Sequence, residues 1–416
     1  MKTHAEIRAI VGEIHQALLK AYDAKSPRET IDEAEFINSK LADYVLDDES
    51  GQAVISRLDD EINGYGPITP LLADGEITEI MVNGPGKVYI ERRGKPTPTD
   101  IYFDGEEHLQ RIIHLRVADP MGRPFDETHP ILDARMPDGS RVNAVLKTVA
   151  IDGTTLNIRR FPKIPYTPVD LIDMGTWSQE MMEFLQACVE GRLNMVISGS
   201  TGSGKTTTLN ILSSFIPDDE RIITIEDAAE LQLQNSHVIR LETKPPNLEG
   251  RGEIKTRLLV RTTLRMRPDR IIVGECRGEE AFDMLQAMNT GHDGSMTTAH
   301  TNSPRDTITR LERMVFMSGL QAAAIAVRSE IESAISLIVH QQRCKDGRRR
   351  VTHITEIAGM EGDKILLQDI FLMHSQEETA GVRRYWHAAT RIPPIRTLEK
   401  LEGHGIILDR KMFEGR

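Results

Sequence analysis

Cysteine is scarce: Cys188, Cys276 and Cys344 are the three in 416 residues, too few and too scattered for a disulfide framework or a four-thiolate zinc site. A reducing compartment is the simplest expectation. Aromatic residues make up only 5%, and 51 Lys and Arg face 63 Asp and Glu, a net charge of −12. Neither a global positive field nor an aromatic stacking platform is present, so no nucleic-acid partner is expected. No segment approaches the roughly 18 apolar residues of a membrane span. The opening MKTHAEIRAIVGEIHQ carries charges throughout and lacks the apolar centre of a signal peptide. The expected location is cytoplasmic, with membrane association only through partners.

What is present is a globular composition, 39% hydrophobic and 27% charged, at a length that corresponds to two or three domains. Residues 1–62 place Ile7, Ile10, Ile14 and Leu18, then Phe36, Leu41 and Val45, at helical spacing and predict a small helical domain. Asn63-Gly64-Tyr65-Gly66-Pro67 ends it. Over 63–161 short runs of period two, Glu79 to Val82 and Lys87 to Glu91, alternate with Asn83-Gly84-Pro85-Gly86 and Pro137-Asp138-Gly139. These predict a small α/β domain, with a helix over His108 to Arg116 and closing strands over Val142 to Val149 and Thr155 to Arg160. Pro162, Pro165 and Pro168 predict an irregular linker over 162–172. Over 173–416, strand-like runs alternate with helix-like ones: Asn194 to Ser198, Thr206 to Phe215, Arg221 to Ile225, Arg270 to Gly274, Ala281 to Met288. That alternation predicts a parallel sheet covered by helices.

Gly199-Ser200-Thr201-Gly202-Ser203-Gly204-Lys205-Thr206 is a complete G-x-x-x-x-G-K-[ST] loop between an apolar strand and a helix, with Thr207 next in line. Its glycines let backbone N–H groups curl toward phosphate oxygens, and the helix N-terminus adds a positive dipole end. Lys205 is placed to bridge β and γ phosphates and Thr206 to ligate Mg²⁺. The implied ligands are ATP and Mg²⁺.

Two further apolar strands end in acids. Arg221-Ile222-Ile223-Thr224-Ile225 runs into Glu226-Asp227-Ala228-Ala229-Glu230, and Arg270-Ile271-Ile272-Val273-Gly274 into Glu275. Ligands of parallel sheets sit beyond the carboxyl ends of strands, so Glu226 is the candidate to activate water and Glu275 to hold Mg²⁺. Capping of the next helix is the alternative for Glu226, Asp227 and Glu230, and simple pairing with Arg277 the alternative for Glu275. His292 and His300 flank a strand-like run, Thr290 to His300. They are candidate γ-phosphate sensors, a metal pair being disfavoured by the lack of a third ligand at useful spacing. An ordinary packing role is the alternative for each.

In this order the four elements resemble the secretion ATPase superfamily of type II and type IV secretion and type IV pili. Ile225-Glu226-Asp227 resembles its aspartate box, Gly274-Glu275 its Walker B and Gly291-His292 through His300 its histidine box. Glu79-Ile80-Met81-Val82-Asn83-Gly84-Pro85 and Arg265-Met266-Arg267-Pro268-Asp269-Arg270 resemble the CpaF/TadA branch, which assembles tight-adherence pili. The resemblance implies a homo-hexameric ring in which a PAS-like domain precedes a RecA-like ATPase domain and inner-membrane platform proteins receive the motion. It also implies arginines reaching phosphate: Arg141, with Arg159 or Arg160, and Arg240 and Arg257 as weaker candidates. Cys276 departs from the aliphatic residue more usual after the Walker-B glutamate; a thiol is small and apolar enough to pack there, with oxidation sensitivity as the added expectation. The tetracysteine zinc insertion of type II members is missing. The rival classes are a nucleic-acid translocase on the same core, a small-molecule kinase, and a nucleotide-bound scaffold without turnover.

Overall fold

The computed structural model describes residues 2–24, 31–92, 94–160, 166–247, 250–377 and 383–414. The chain divides into two compact units, Met1–Lys163 and Ile164–Arg416.

The first unit opens with three helices, α1 (His4–Ala24), α2 (Glu33–Leu41) and α3 (Asp48–Ile62). Ile7, Ile10, Val11 and Ile14 of α1 pack with Val54 and Leu58 of α3, as three- and four-residue spacings require. Asp32 and Asp47 cap α2 and α3, accepting the N–H groups of Glu35 and Ser50 at 3.0 and 2.8 Å. The helical pattern does not extend to Val45, which lies beyond α2 and is 94% exposed. After a short α4 (Thr69–Ala73) come β1 (Ile77–Asn83), β2 (Val88–Arg92), β3 (Lys95–Pro98), α5 (Glu106–Ile113), β4 (Ile131–Arg135), β5 (Arg141–Val145) and β6 (Thr155–Arg159). The sheet order is β3-β2-β1-β6-β5-β4, and every pairing is antiparallel. Ile80, Val82, Val142 and Ile158, alternate residues of their strands, share one core with Leu109 and Ile112 of α5.

In the second unit, the expected linker 162–172 needs correction. Residues 162–165 lie outside the described residues, and Pro168 opens a helix, α6 (Pro168–Asp173), with Thr167 and Asp170 in a reciprocal capping box. Proline's fixed φ and missing N–H suit a first helical position, so here it starts structure rather than preventing it.

The elements that follow are α7 (Gln179–Glu190), β7 (Met195–Gly199), α8 (Lys205–Ser213), β8 (Ile222–Glu226), β9 (Val238–Glu242), α9 (Thr256–Thr263), β10 (Arg270–Val273) and α10 (Glu280–Asn289). The chain continues through β11 (Met296–Ala299), α11 (Pro304–Met317), α12 (Ala324–Ala334), β12 (Leu337–Arg343), β13 (Arg349–Glu361), β14 (Lys364–Glu377), β15 (Arg383–Ala389) and α13 (Ile395–Gly403). Their nine strands order as β15-β14-β13-β12-β7-β11-β10-β8-β9. From β12 to β9 the pairings are parallel, as the alternation predicts. Sequence reading missed the antiparallel extension β13-β14-β15.

Each central strand feeds two cores. Met195, Ile197, Leu337 and Val339 face one with α7 and α8, while Val196, Ile225, Ile271, Val273 and Ile338 face the other with α10, α11 and α12. Each fully buried aliphatic side chain contributes about 1.5–3 kcal/mol, so the carboxyl ends of β7, β11, β10 and β8 rest on a rigid base.

Candidate functional site

The phosphate loop joins β7 to α8. Gly204, just before α8, has φ 95°, a left-handed conformation that glycine adopts without strain. At Gly199 the constraint is space: an added Cβ would stand 2.1 Å from the Gln341 carbonyl oxygen. Lys205, 7% exposed, folds over the loop and donates from Nζ to the Ser200 carbonyl at 3.0 Å.

From Lys205 a line of contacts crosses the sheet edge. Its Nζ lies 3.4 Å from His300 Nδ1, and His300 Nε2 lies 3.2 Å from Glu275 Oε1. Glu275 Oε2 meets Arg277 at 2.7 Å, and Arg277 reaches Asp227 at 3.4 Å. Strand order explains the sequence of contacts, because β11, which delivers His300, lies between β7 and β10. Burial and the Lys205 cation hold His300 below its usual pKa against the pull of Glu275. The imidazole is therefore neutral at pH 7, and the contacts fit Nε2–H donating to Glu275 while Nδ1 accepts from Lys205. Thr201 Oγ1 also lies 3.4 Å from His300 Nδ1.

Glu226 ends β8, one strand beyond β10, and is 4% exposed. Its Oε2 accepts the N–H groups of Glu230 and Leu231 at 2.7 and 3.0 Å, while Oε1 is buried without a hydrogen bond. Burial raises its pKa to about 7 despite those two N–H groups. Gly274 opens the space beside it, since a Cβ there would lie 2.9 Å from Glu226 Cγ. Asp227 accepts from Thr256 Oγ1 at 3.1 Å, and Arg240 on β9 contributes its charge to the field at Glu226.

Other candidates fall elsewhere. His292 does not join His300: it precedes β11, whose Met296 pairs with Met195 at the start of β7, whereas Ala299 pairs with Ser198 near the phosphate loop. The two histidines thus belong to opposite ends of the sheet, separated by the length of a strand, and the joint sensing role is corrected for His292 within one subunit. Its backbone carbonyl accepts the Ser295 hydroxyl at 2.7 Å, while its Nδ1 is buried without a hydrogen bond. Arg257 is held by Asp283 and Glu279, both at 2.7 Å. Cys276 is 1% exposed, and burial pushes its thiol up to about 12, which corrects the expectation of oxidation sensitivity, since the thiolate is the reactive form.

In the first unit, Arg141 pairs across the sheet with Arg159 on one side and Arg135 on the other. Arg160 turns away and donates to the carbonyls of Asp74 and Ile77.

Sequence reading missed the support behind the loop. Gln341 on β12 donates from Nε2 to the Ser203 carbonyl at 2.7 Å and accepts from Thr208 Oγ1 at 2.7 Å. Arg349, opening β13, donates from Nε to the Gly202 carbonyl at 2.9 Å. His340 meets Ser198 Oγ at 2.8 Å, with burial and the neighbouring His353 lowering its pKa to about 4. The available signal was the one used for Glu226 and Glu275: polar residues, His340-Gln341, closing the apolar run Leu337-Ile338-Val339.

The donor set fits a nucleoside triphosphate with Mg²⁺. A buried Ser203 hydroxyl without a hydrogen bond and a glycine-lined cradle suit phosphate oxygens, and the carboxylate Glu275 suits a hard cation.

A phosphate loop on one strand of a parallel sheet, with carboxylates closing two others, defines a P-loop ATPase with a RecA-like core. The chain belongs to the type II/IV secretion system protein family, whose profile matches residues 61–375. A putative conjugal transfer protein of Mycobacterium tuberculosis is 35% identical over 324 residues, spanning 76% of this chain and 91% of that protein. The type IV secretion system protein VirB11 of Brucella suis is 30% identical over 349 residues, 77% of this chain and 94% of that one. Among solved structures, the pilus retraction motor PilT with bound ADP matches with a TM-score of 0.52 at 19% identity, over 81% of this chain and 87% of that chain. That likeness is one of fold.

Proposed function

We propose that this chain is an ATP-hydrolysing motor. It acts as a homo-hexamer at the cytoplasmic face of the inner membrane and drives assembly of a tight-adherence pilus or a related secretion machine through a platform protein. The observation that carries the motor reading is the line from Lys205 through His300 to Glu275, which ties the phosphate loop to a strand-end carboxylate. The secretion and conjugation context is supported by the named relatives. Among the described residues no helix is long and apolar enough to cross a membrane, so a platform partner supplies the membrane contact in this reading.

Within the site, Gly199 to Thr207 cradle the phosphates and Lys205 neutralises the transferring end. Thr206 and Glu275 would hold Mg²⁺, which when bound neutralises charge between phosphoryl oxygens. Glu226, with a pKa raised to about 7, is suited to accept a proton from water near neutrality. His300 transmits the state of Lys205 to Glu275. Arg141 and Arg159 are the arginines proposed to answer to nucleotide in the assembled ring. Like charges directly opposite on adjacent strands are destabilising, so the place of Arg141 between Arg135 and Arg159 fits an anion-facing role better than a structural one, while Arg159 also stands opposite Glu79 on β1. Segments 1–62, 63–161 and 173–416 act in this reading as helical, PAS-like and ATPase parts.

The test is the solution mass by light scattering, with and without Mg²⁺ and a non-hydrolysable ATP analogue, paired with an ATPase assay of wild type and Lys205→Ala. A hexamer with Lys205-dependent hydrolysis is expected. A monomer or dimer under every condition overturns the ring, and hydrolysis that survives Lys205→Ala overturns the site. A nucleic-acid translocase is the second reading, favoured by exposed Arg343, Lys345, Arg348 and Arg349 around the β12–β13 turn. Stimulation of hydrolysis by single-stranded DNA would decide for it.

A further inference from the structure

Two carbonyls of the phosphate loop are held from outside by one hairpin. Arg349 Nε donates to the Gly202 oxygen at 2.9 Å, and Gln341 Nε2 to the Ser203 oxygen at 2.7 Å. In a trans peptide the C=O and the N–H that follows it point in opposite directions. The Gly202 carbonyl shares its plane with the N–H of Ser203, and the Ser203 carbonyl with the N–H of Gly204. Donors that hold both oxygens on the outer side therefore aim both N–H groups into the loop, where phosphate binds. The Ser203 N–H does cross the loop, donating to the Ser200 carbonyl at 3.3 Å.

Gln341 cannot easily turn. It is 1% exposed, its Oε1 accepts from Thr208 Oγ1 at 2.7 Å, and its backbone pairs with Gly199 in the β7–β12 ladder. Rotating the buried amide would set its oxygen against the Ser203 carbonyl and leave a buried acceptor unsatisfied.

We infer that Gln341 and Arg349 are positioning residues that pre-aim the phosphate-binding N–H groups and so set the affinity for the polyphosphate end of the nucleotide. The inference rests on the ATPase reading and adds to it a contribution from strands that carry no nucleotide-binding motif.

The experiment is calorimetric titration of the full chain with Mg²⁺-ADP, for wild type, Arg349→Ala, Arg349→Lys and Gln341→Ala. Both alanine variants are expected to raise Kd about tenfold, the scale of one hydrogen bond, with the number of sites per chain unchanged. Arg349→Lys, which keeps a donor, should recover part of the loss. A purely structural role would lower the number of sites and leave Kd alone, and that result overturns the inference. So do alanine variants within twofold of the wild-type Kd. Arg349 is exposed, so its variants remain informative if Gln341→Ala fails to fold. A wild-type chain that binds no ADP sinks the ATPase reading itself, an outcome distinct from unchanged variants.

Discussion

Glu226 combines burial, two N–H donors to one oxygen and none to the other. Its pKa in the fold, about 7 against an ordinary 4.5, has two separable consequences. As the proposed base it would work only when ionised, so hydrolysis should rise with pH through about 7, and Glu226→Gln should lose most turnover and the pH dependence with it. Full turnover in that variant would pass the role to Glu275. For stability the sign is opposite. The native state binds this proton more tightly than the unfolded chain does, so its contribution is intact below pH 4.5 and is lost as pH rises toward 7, by about 3 kcal/mol. Glu226→Gln should therefore melt higher than wild type at pH 8 and close to it at pH 5, as calorimetry at the two pH values would read. Cys276 gives a plainer case. Its thiol, raised to about 12 and 1% exposed, should resist alkylation in the native protein, while the partly exposed Cys344 reacts first. Peptide mapping after brief iodoacetamide treatment would show the order.

β10 leads to the candidate site at one end and holds a buried charge at the other. At its start Arg270, with no exposed surface, makes two hydrogen bonds to Glu220 and others to the Val189 and Gly294 carbonyls. Arg192 also reaches Glu220, at 3.1 Å. Removing one partner of a buried pair leaves an uncompensated charge, at a cost of about 3–5 kcal/mol. Glu220→Ala should lower the melting temperature by roughly 10 °C while leaving the phosphate loop's own hydrogen bonds in place. Scanning calorimetry would check it, and a change under 2 °C, less than about 1 kcal/mol for a unit of this size, would show that water or rearrangement satisfies Arg270. At the other end of the strand, Gly274 gives Glu226 its space, so a methyl there would displace that carboxylate.

The arginines bear on the proposed assembly. Arg141 and Arg159 stand opposite each other on β5 and β6, while Arg160 is bonded to backbone carbonyls within its own unit. Arg141→Ala and Arg159→Ala are expected to lower steady-state turnover at least about tenfold with little change in nucleotide Kd. Arg160→Ala is expected to lower the melting temperature instead. If Arg160→Ala alone abolishes turnover without destabilising the fold, the assignment reverses. The two residues are neighbours in sequence, but successive side chains of a strand point to opposite faces, and the register across β5 and β6 selects Arg159 as the partner of Arg141.

Contiguous motifs and local periodicity were legible from residue order alone: the phosphate loop, two acid-tipped strands, parallel alternation and the helical spacing of the N-terminal segment. Each depends on residues within a few positions of one another, where backbone sterics and a period of two or 3.6 decide the outcome. Strand order was not legible, and much of the site depends on it. It places His300 beside Lys205 and His292 at the far end of the sheet, sets Gln341 against Ser203 across 138 residues of chain, and leaves Glu226 one strand beyond Glu275. Such contacts are chosen by how whole faces bury together, a long-range balance of packing that no local pattern encodes.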